Sequence, residues 1–251
     1  MTTQTTIAFF GGNGHCAARL EPARGVAPEG ISIVDNPYPG FEGMPPAPNR
    51  AAFFADVGAS VTAQTHASRI DLIYATGIGA LIVLELLADG KLPAVPIVFQ
   101  GPVLWGLEHR LMPRTMRLAP IRAAAIRLFR TRAFRSRFCR KYFVRPVSQD
   151  FAARFFRGYD ECAAFGQFFE WFTPASLECL ARKLLSNADI LYRITIWHGD
   201  NDRVVGRDEI RWTEQALKCR FPVRTFPHWG HYPMIDDPHD WVSALERAAS
   251  E

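Results

Sequence analysis

The chain has 251 residues, of which 48% are hydrophobic and 22% are charged, and its formal net charge is +4. This length allows one large domain or a core with an inserted cap, and this composition excludes a disordered chain. The chain lacks both an apolar run of 18 residues and the signature of a signal peptide, so we expect a soluble, cytoplasmic protein. Its five cysteines are scattered and show neither metal-ligand spacing nor a disulfide framework. We expect them to be reduced, buried thiols, and we expect no metal and no cofactor.

Six short apolar runs, each followed by turn residues, predict β-strands buried on both faces of a sheet. These runs cover residues 6–10, 31–35, 71–75, 95–99, 194–198 and 223–227. Helical patterns lie between them at residues 49–68, 78–89, 208–219 and 238–249. Strand alternating with helix predicts an α/β fold with a mostly parallel, doubly wound sheet.

About ninety residues between the fourth and fifth predicted strands show helical patterns alone. We therefore predict a core made of residues 1–100 and 191–251, and a helical cap made of residues 101–190. Such a cap would cover the carboxyl ends of the strands, where open α/β sheets bind their ligands. The functional site is therefore expected under the cap.

The predicted cap is strongly basic and rich in aromatic residues. Between His109 and Arg157 there are 14 basic residues and one acidic residue, Asp150, so this segment carries +13 and the rest of the chain −9. The pattern is typical of an amphipathic helical face in solvent. It is equally typical of a surface for an acidic partner, such as an acyl carrier protein, a coenzyme A thioester or an anionic membrane. Nucleic acid fits less well, because the same segment must also supply the apolar face of the cap.

Loops that follow predicted strands carry the candidate chemistry. The stretch FFGGNGHCA (9–17) can direct backbone N–H groups at an oxyanion, although its spacing matches neither a P-loop nor a dinucleotide site. The stretch YATGIGALIVLELL (74–87) is a strand, a small-residue turn and a helix in immediate succession. The loops WHGDNDRVVG (197–206) and FPHWGHYPMIDDP (226–238) place an acid after one strand and a histidine after the next.

With these motifs the chain resembles the α/β-hydrolase superfamily over almost its whole length, apart from that family's first antiparallel strands. The resemblance implies that Asp202, in HGDNDRVV, is the triad acid and that His231, in WGHYPMIDDP, is the triad base. The turn at residues 74–87 aligns without gaps with the family's nucleophile elbow, and Gly77 then occupies the position of the nucleophilic serine.

The same resemblance implies an oxyanion site. FFGGNGH is similar to the family's oxyanion loop, with Gly11 in the place of a histidine. Gly12 and Asn13 would then line the oxyanion or substrate site, with the backbone N–H of Asn13 as one donor. Ile78, after the elbow, would supply the second N–H group.

Glycine at position 77 excludes acyl-enzyme chemistry at that residue. Two substitutes are open: Thr76, whose hydroxyl we expect to point away from the cleft, and Cys16, which lies with His15 in the oxyanion loop, where both are expected to reach the cleft. An Asp–His pair without serine can still act as a general base. It can activate water for ester or thioester hydrolysis, or remove a proton from the substrate in a cyclisation or elimination.

The leading hypothesis is therefore His–Asp base catalysis on an apolar, carbonyl-containing or acyl substrate. One alternative is a non-catalytic ligand-binding or scaffold protein that keeps the fold. Another is a serine hydrolase or thioesterase inactivated by an engineered Ser-to-Gly change at position 77. A module that binds an acidic partner through the cap is a further alternative.

Overall fold

The structure is a computed structural model that describes residues 4–251, apart from the side chain of residue 108. Its strands are β1 (Thr5–Phe10), β2 (Ile31–Asp35), β3 (Leu72–Gly77), β4 (Ile97–Pro102), β5 (Ile194–Gly199) and β6 (Val223–Phe226). They form one parallel sheet in the order β2-β1-β3-β4-β5-β6. This confirms the predicted α/β fold with a parallel, doubly wound sheet.

The helices flank the sheet and fill the long connection between β4 and β5. In chain order they are α1 (Glu21–Arg24), α2 (Arg50–Ala67), α3 (Gly79–Ala88), α4 (Leu111–Met116), α5 (Ala119–Phe129), α6 (Arg132–Tyr142), α7 (Gln149–Asp160), α8 (Gln167–Trp171), α9 (Pro174–Leu185), α10 (Arg207–Leu217), α11 (Pro233–Asp236) and α12 (Pro238–Ser250). Short 3-10 helices cover Ala17–Leu20, Leu107–His109 and Ala188–Arg193. No helix within residues 4–251 is long and apolar enough to cross a membrane.

Burial explains the composition of the central elements. Every residue of β3 and β4 is buried, which fits strands covered by helices on both faces. Helix α3 is apolar on nearly all sides and is buried except for its last residue, and its one acid, Glu85, forms an ion pair with Arg50 of α2. The prediction of burial on both faces is wrong for β6, because it is the edge strand and three of its four residues are exposed.

The end of β4 differs from the sequence prediction. The strand continues three residues past the predicted end at 99, because Gly77 of β3 pairs with Pro102 after a register shift. The predicted boundary between core and cap at residue 101 therefore falls inside a strand. Helices α4–α9 all follow this strand and precede β5.

The helices between β4 and β5 are amphipathic to different degrees. Helix α7 buries three phenylalanines, whereas α5 and α6 bury no residue fully and present most of the arginines to solvent. All five cysteines are free, and Cys16 and Cys162 are buried as expected. The expectation of burial is wrong for Cys179, because it lies on the solvent side of α9, and Cys139 and Cys219 are only half-buried.

Candidate functional site

The loops at the carboxyl ends of the strands meet at one edge of the sheet, as parallel pairing requires. A cavity of about 560 Å³ lies at this edge, beneath α4–α8. Five of the six predicted site residues line it: Gly12, Asn13, Gly77, Ile78 and His231. The sixth, Asp202, lies behind the imidazole of His231, with its side chain fully buried.

Asp202 and His231 form a hydrogen-bonded pair. His231 Nδ1 and Asp202 Oδ2 are 2.9 Å apart. The other carboxylate oxygen of Asp202 accepts the backbone N–H groups of Val204 (2.7 Å) and Val205 (2.9 Å). Burial alone would raise the pKa of Asp202, but the imidazole and the two N–H donors outweigh it and lower the pKa. The carboxylate therefore stays ionised at neutral pH and holds the imidazole in one orientation.

Gly101, near the end of β4, makes room for this pair. A Cβ atom at this position would lie 2.6 Å from Asp202 Oδ2 and 3.0 Å from His231 Nδ1. Its φ of +49° also belongs to the left-handed region that favours glycine. The pair can therefore approach β4 only because residue 101 has no side chain.

Gly77 ends β3 in the left-handed conformation of a tight strand-to-helix turn, with a φ of +56°. A Cβ atom there would meet only the Cα of Gly12, at 3.7 Å, which is an ordinary van der Waals distance. Space for a small side chain therefore exists at this turn. Gly79 starts α3 two residues later, and a Cβ there would lie 2.4 Å from the carbonyl oxygen of Phe10, so the helix starts directly against β1.

The backbone N–H groups of Asn13 and Ile78 lie at the cavity without an acceptor in the described part of the chain. Among the described residues, the N–H groups of Asn13 and Ile78 donate to neither backbone nor side-chain oxygens. The Asn13 side chain donates through Nδ2 to the carbonyl oxygen of Phe165 (3.1 Å), which ties the glycine-rich loop to the segment before α8. Open N–H groups at the start of a helix suit an oxyanion.

The two substitute nucleophiles are engaged elsewhere. Thr76 donates its hydroxyl to Gln100 Oε1 (3.1 Å), inside the sheet. Cys16 does not line the cavity, and its thiol contacts the carbonyl oxygens of Arg154 and Phe155 at 3.6 and 3.7 Å. Burial raises the pKa of the Cys16 thiol and so disfavours the reactive thiolate.

His15 is turned away from the cavity, which corrects the expectation that it reaches the cleft. Its Nε2 lies 2.8 and 2.9 Å from the two carboxylate oxygens of Asp35, at the end of β2. Its ring packs against Gly11, where a Cβ would lie 2.0 Å from the ring. Asp200 is likewise outside the site: its carboxylate pairs with exposed Arg207 at 3.4 Å.

The remaining cavity wall is mainly apolar and aromatic. It includes Phe129, Phe134, Phe138, Phe156, Phe165 and Phe169. Leu111 and Met112 also line it and are 76% and 50% exposed, so one side of the cavity is open to solvent through apolar residues. Among the side chains that the structure describes, which exclude that of residue 108, no group of three or more His, Cys, Asp or Glu residues could hold a metal ion.

Sequence reasoning missed four residues of this site: Gly101, Arg19, Tyr159 and Tyr232. Arg19, Tyr159 and Tyr232 line the cavity close to one another. A glycine directly after a buried strand is a signal that identifies Gly101 as a turn residue. The stretch around Arg19 has no comparable signal, because an isolated arginine in a polar segment usually predicts a solvated side chain.

Comparisons with known proteins agree with this architecture. The sequence profile described as "Alpha/beta hydrolase family" matches residues 11–245. A search of curated protein sequences finds no match.

Similar solved structures include an esterase from Exiguobacterium antarcticum (14% identity, 100% of this chain and 94% of that one, TM-score 0.66). Haloalkane dehalogenase DbeA from Bradyrhizobium elkani (16%, 98% and 92%, TM-score 0.66) and ClbQ from the colibactin NRPS/PKS pathway (15%, 99% and 98%, TM-score 0.59) are similar as well. Identities this low show a shared fold. Because the family profile spans nearly all of the sequence, the chain belongs to the alpha/beta hydrolase family.

Proposed function

We propose that this protein is an enzyme in which His231, held by Asp202, acts as a general base on an apolar carbonyl or acyl substrate. The observation that carries the proposal is the 2.9 Å hydrogen bond between Asp202 and His231 at the wall of an aromatic cavity. A buried carboxylate with a lowered pKa stabilises the imidazolium that forms when His231 takes a proton. The apolar walls exclude bulk water and favour a hydrocarbon or aromatic acyl group.

Gly77, in this proposal, occupies the position of the nucleophilic serine. The space over its Cα is open, since a Cβ there would touch only Gly12. A water molecule in this space can attack an acyl carbon while His231 removes its proton, and the C–O or C–S bond then breaks as the imidazolium gives this proton to the departing alcohol or thiol. A substrate in the same space can instead lose a proton directly to His231, in an elimination or cyclisation. Both reactions use the same base, and neither passes through an acyl-enzyme at residue 77.

The charge that develops on the substrate oxygen also needs a partner. We assign this role to the backbone N–H groups of Asn13 and Ile78, which have no acceptor among the described residues. Each such donor contributes about 10²–10³-fold to rate in enzymes of this kind. Glycine at position 12 suits this arrangement, because a Cβ there would lie 3.2 Å from the Thr76 carbonyl oxygen and would crowd the loop against β3.

A second part of the proposal is that helices α4–α9, within residues 101–190, act as a cap that receives an acidic partner. A groove of about 760 Å³ runs beside α6 and α7, lined by Arg130, Arg132, Arg135, Arg140 and Arg145. Arg130 and Arg135 pair with Asp160 at 3.8 and 2.6 Å and Arg145 pairs with Asp237 at 3.2 Å, whereas Arg132 and Arg140 are exposed to solvent. Such a groove favours an acyl carrier protein or coenzyme A thioester as the acyl donor.

The test compares the wild type with His231→Ala and Gly77→Ser on 4-nitrophenyl esters and acyl thioesters across pH. We expect His231→Ala to lose most of the kcat/KM of the wild type at every pH, because the base is missing. Gly77→Ser restores a hydroxyl beside His231 and is expected to give a burst of 4-nitrophenol from an acyl-enzyme. Equal rates for the wild type and His231→Ala in every assay would favour the non-catalytic scaffold instead.

A further inference from the structure

Arg19 is a buried cation without a carboxylate counter-ion among the described residues. It lies in the last turn of the 3-10 helix Ala17–Leu20 and is only 5% exposed. Its Nε and Nη2 atoms are buried and have no hydrogen-bond partner among the described residues. A guanidinium remains charged at all physiological pH values, so this charge is permanent. Burial of an unpaired charge costs on the order of several kcal/mol, and a fold gains nothing from it.

The surroundings of Arg19 are aromatic instead of acidic. Its Cζ lies 4.3 Å from the ring centre of Phe155, 5.1 Å from that of Tyr159 and 5.8 Å from that of Tyr232. Cation–π contacts of this kind compensate only part of the lost hydration. The two phenols add hydroxyl groups beside the guanidinium. Together the three polar side chains form a cationic, donor-rich part of a wall that is mainly aromatic.

The other two arginines that line the cavity are either paired or exposed. Arg110 forms an ion pair with Glu209 and also donates to the carbonyl oxygen of Val204 (2.7 Å). Arg203 is exposed to solvent. Arg19 is therefore the arginine of this cavity whose charge is buried without a carboxylate counter-ion within the described residues.

We propose that Arg19, with the phenols of Tyr159 and Tyr232, binds a carboxylate that the substrate carries in addition to its reacting carbonyl group. One cation flanked by two phenols matches a monoanion, and guanidinium and carboxylate form strong charge-assisted hydrogen bonds. The Tyr232 ring lies 4.8 Å from the ring of His231, so the guanidinium is one side chain away from the base. The substrate class is thus an acyl compound with a carboxylate a short spacer away from the reacting carbon. This deepens the proposed function and rests on it only for the role of His231.

The test uses a matched pair of esters that differ in one charge: mono(4-nitrophenyl) adipate and its neutral methyl ester. Binding is measured by calorimetry in the His231→Ala protein, so turnover does not enter the result. We expect the anionic ester to bind about 10- to 100-fold more tightly than the neutral one, which is the range for hydrogen bonds to charged groups. Adding Arg19→Met should remove the difference, and adding Arg19→Lys should retain part of it.

Equal binding of the two esters in the protein that retains Arg19 overturns the proposal. Preference for free adipate without any preference between the two esters overturns it too, because Arg19 would then recognise only the product of hydrolysis. If the wild type turns over neither ester but the binding preference for the anionic ester is present, the proposed catalysis is refuted and the carboxylate subsite is supported. If the Arg19→Met protein does not fold, the proteins with arginine and with lysine at position 19 are compared instead. The preference for the anionic ester should be smaller with lysine, since only the guanidinium offers a planar set of donors.

Discussion

The substitution Gly101→Ala tests whether the position of the Asp202–His231 pair depends on the end of β4. The added Cβ would lie 2.6 Å from Asp202 Oδ2, which is closer than real Cβ contacts allow, and 3.0 Å from His231 Nδ1, which is tighter than most. The carboxylate or the strand must therefore shift by several tenths of an ångström. A misplacement of about 1 Å in a catalytic group can cost about 100-fold in rate, so we expect kcat/KM to fall by roughly 10- to 100-fold.

Stability should fall as well. Alanine in a left-handed conformation costs about 1–2 kcal/mol, and a weakened buried hydrogen bond adds about 1–3 kcal/mol. We therefore expect urea denaturation to show a loss of about 2–5 kcal/mol in the free energy of unfolding. Turnover of 4-nitrophenyl esters gives the rate, and the NMR signal of the His231 ring proton reports the hydrogen bond directly.

Gly90→Ala is the matched control. Gly90 has a φ of +66°, yet a Cβ there would meet nothing within 4 Å. Its substitution therefore adds the same kind of backbone strain without any contact with the site. It should lose about 1–2 kcal/mol of stability and keep full activity. If Gly101→Ala keeps its rate, or if the two variants lose the same activity, the proposed steric dependence is refuted.

Three further predictions address charges. Asp202→Asn should reduce kcat/KM by about 10⁴-fold with the fold intact, because the amide no longer stabilises the imidazolium; an unchanged rate excludes the pair as the base. Burial raises the pKa of Asp236 from 3.8 to about 6, so the folded state holds this proton more tightly and the contribution of Asp236 to stability falls as pH rises between these values. Asp236→Asn removes this loss, and its unfolding free energy relative to wild type should rise by about 2 kcal/mol from pH 4 to pH 7, as urea denaturation at both pH values will show. Arg19→Met should raise the melting temperature, because it removes an unpaired buried charge; a lower melting temperature would mean that the charge is compensated within the protein.

The sequence was informative wherever function depends on the order of strands and loops. Six apolar runs predicted the six strands within a few residues, because all but the edge strand β6 are wholly or partly buried in the sheet. Parallel strands carry their following loops to one edge of the sheet, so the loops with Gly77, Asp202 and His231 had to meet. Reading the motifs therefore placed these residues close together without any knowledge of side-chain geometry.

The sequence was uninformative wherever function depends on what covers a residue. Arg19 is buried because α7 packs over it through Phe155, more than a hundred residues later in the chain. His15 turns away because the carboxylate of Asp35, at the end of β2, accepts a hydrogen bond from its Nε2–H group. No sequence motif encodes this contact. The same holds for the contact of Gly101 with the Asp–His pair, which depends on the path of the backbone at the end of β4.

Buried charge also bears on the choice between an enzyme and a scaffold. Asp202 is ionised with no exposed side-chain surface, and Arg19 is charged at 5% exposure without a counter-ion. Replacing buried ions with apolar side chains of similar size is often neutral or stabilising, so neither charge is needed to hold the sheet together. A scaffold that binds a neutral apolar ligand would need neither residue. The two charges instead fit the proposed site, in which Asp202 orients the base and Arg19 neutralises a carboxylate of the substrate. Both charges then lower stability in favour of function.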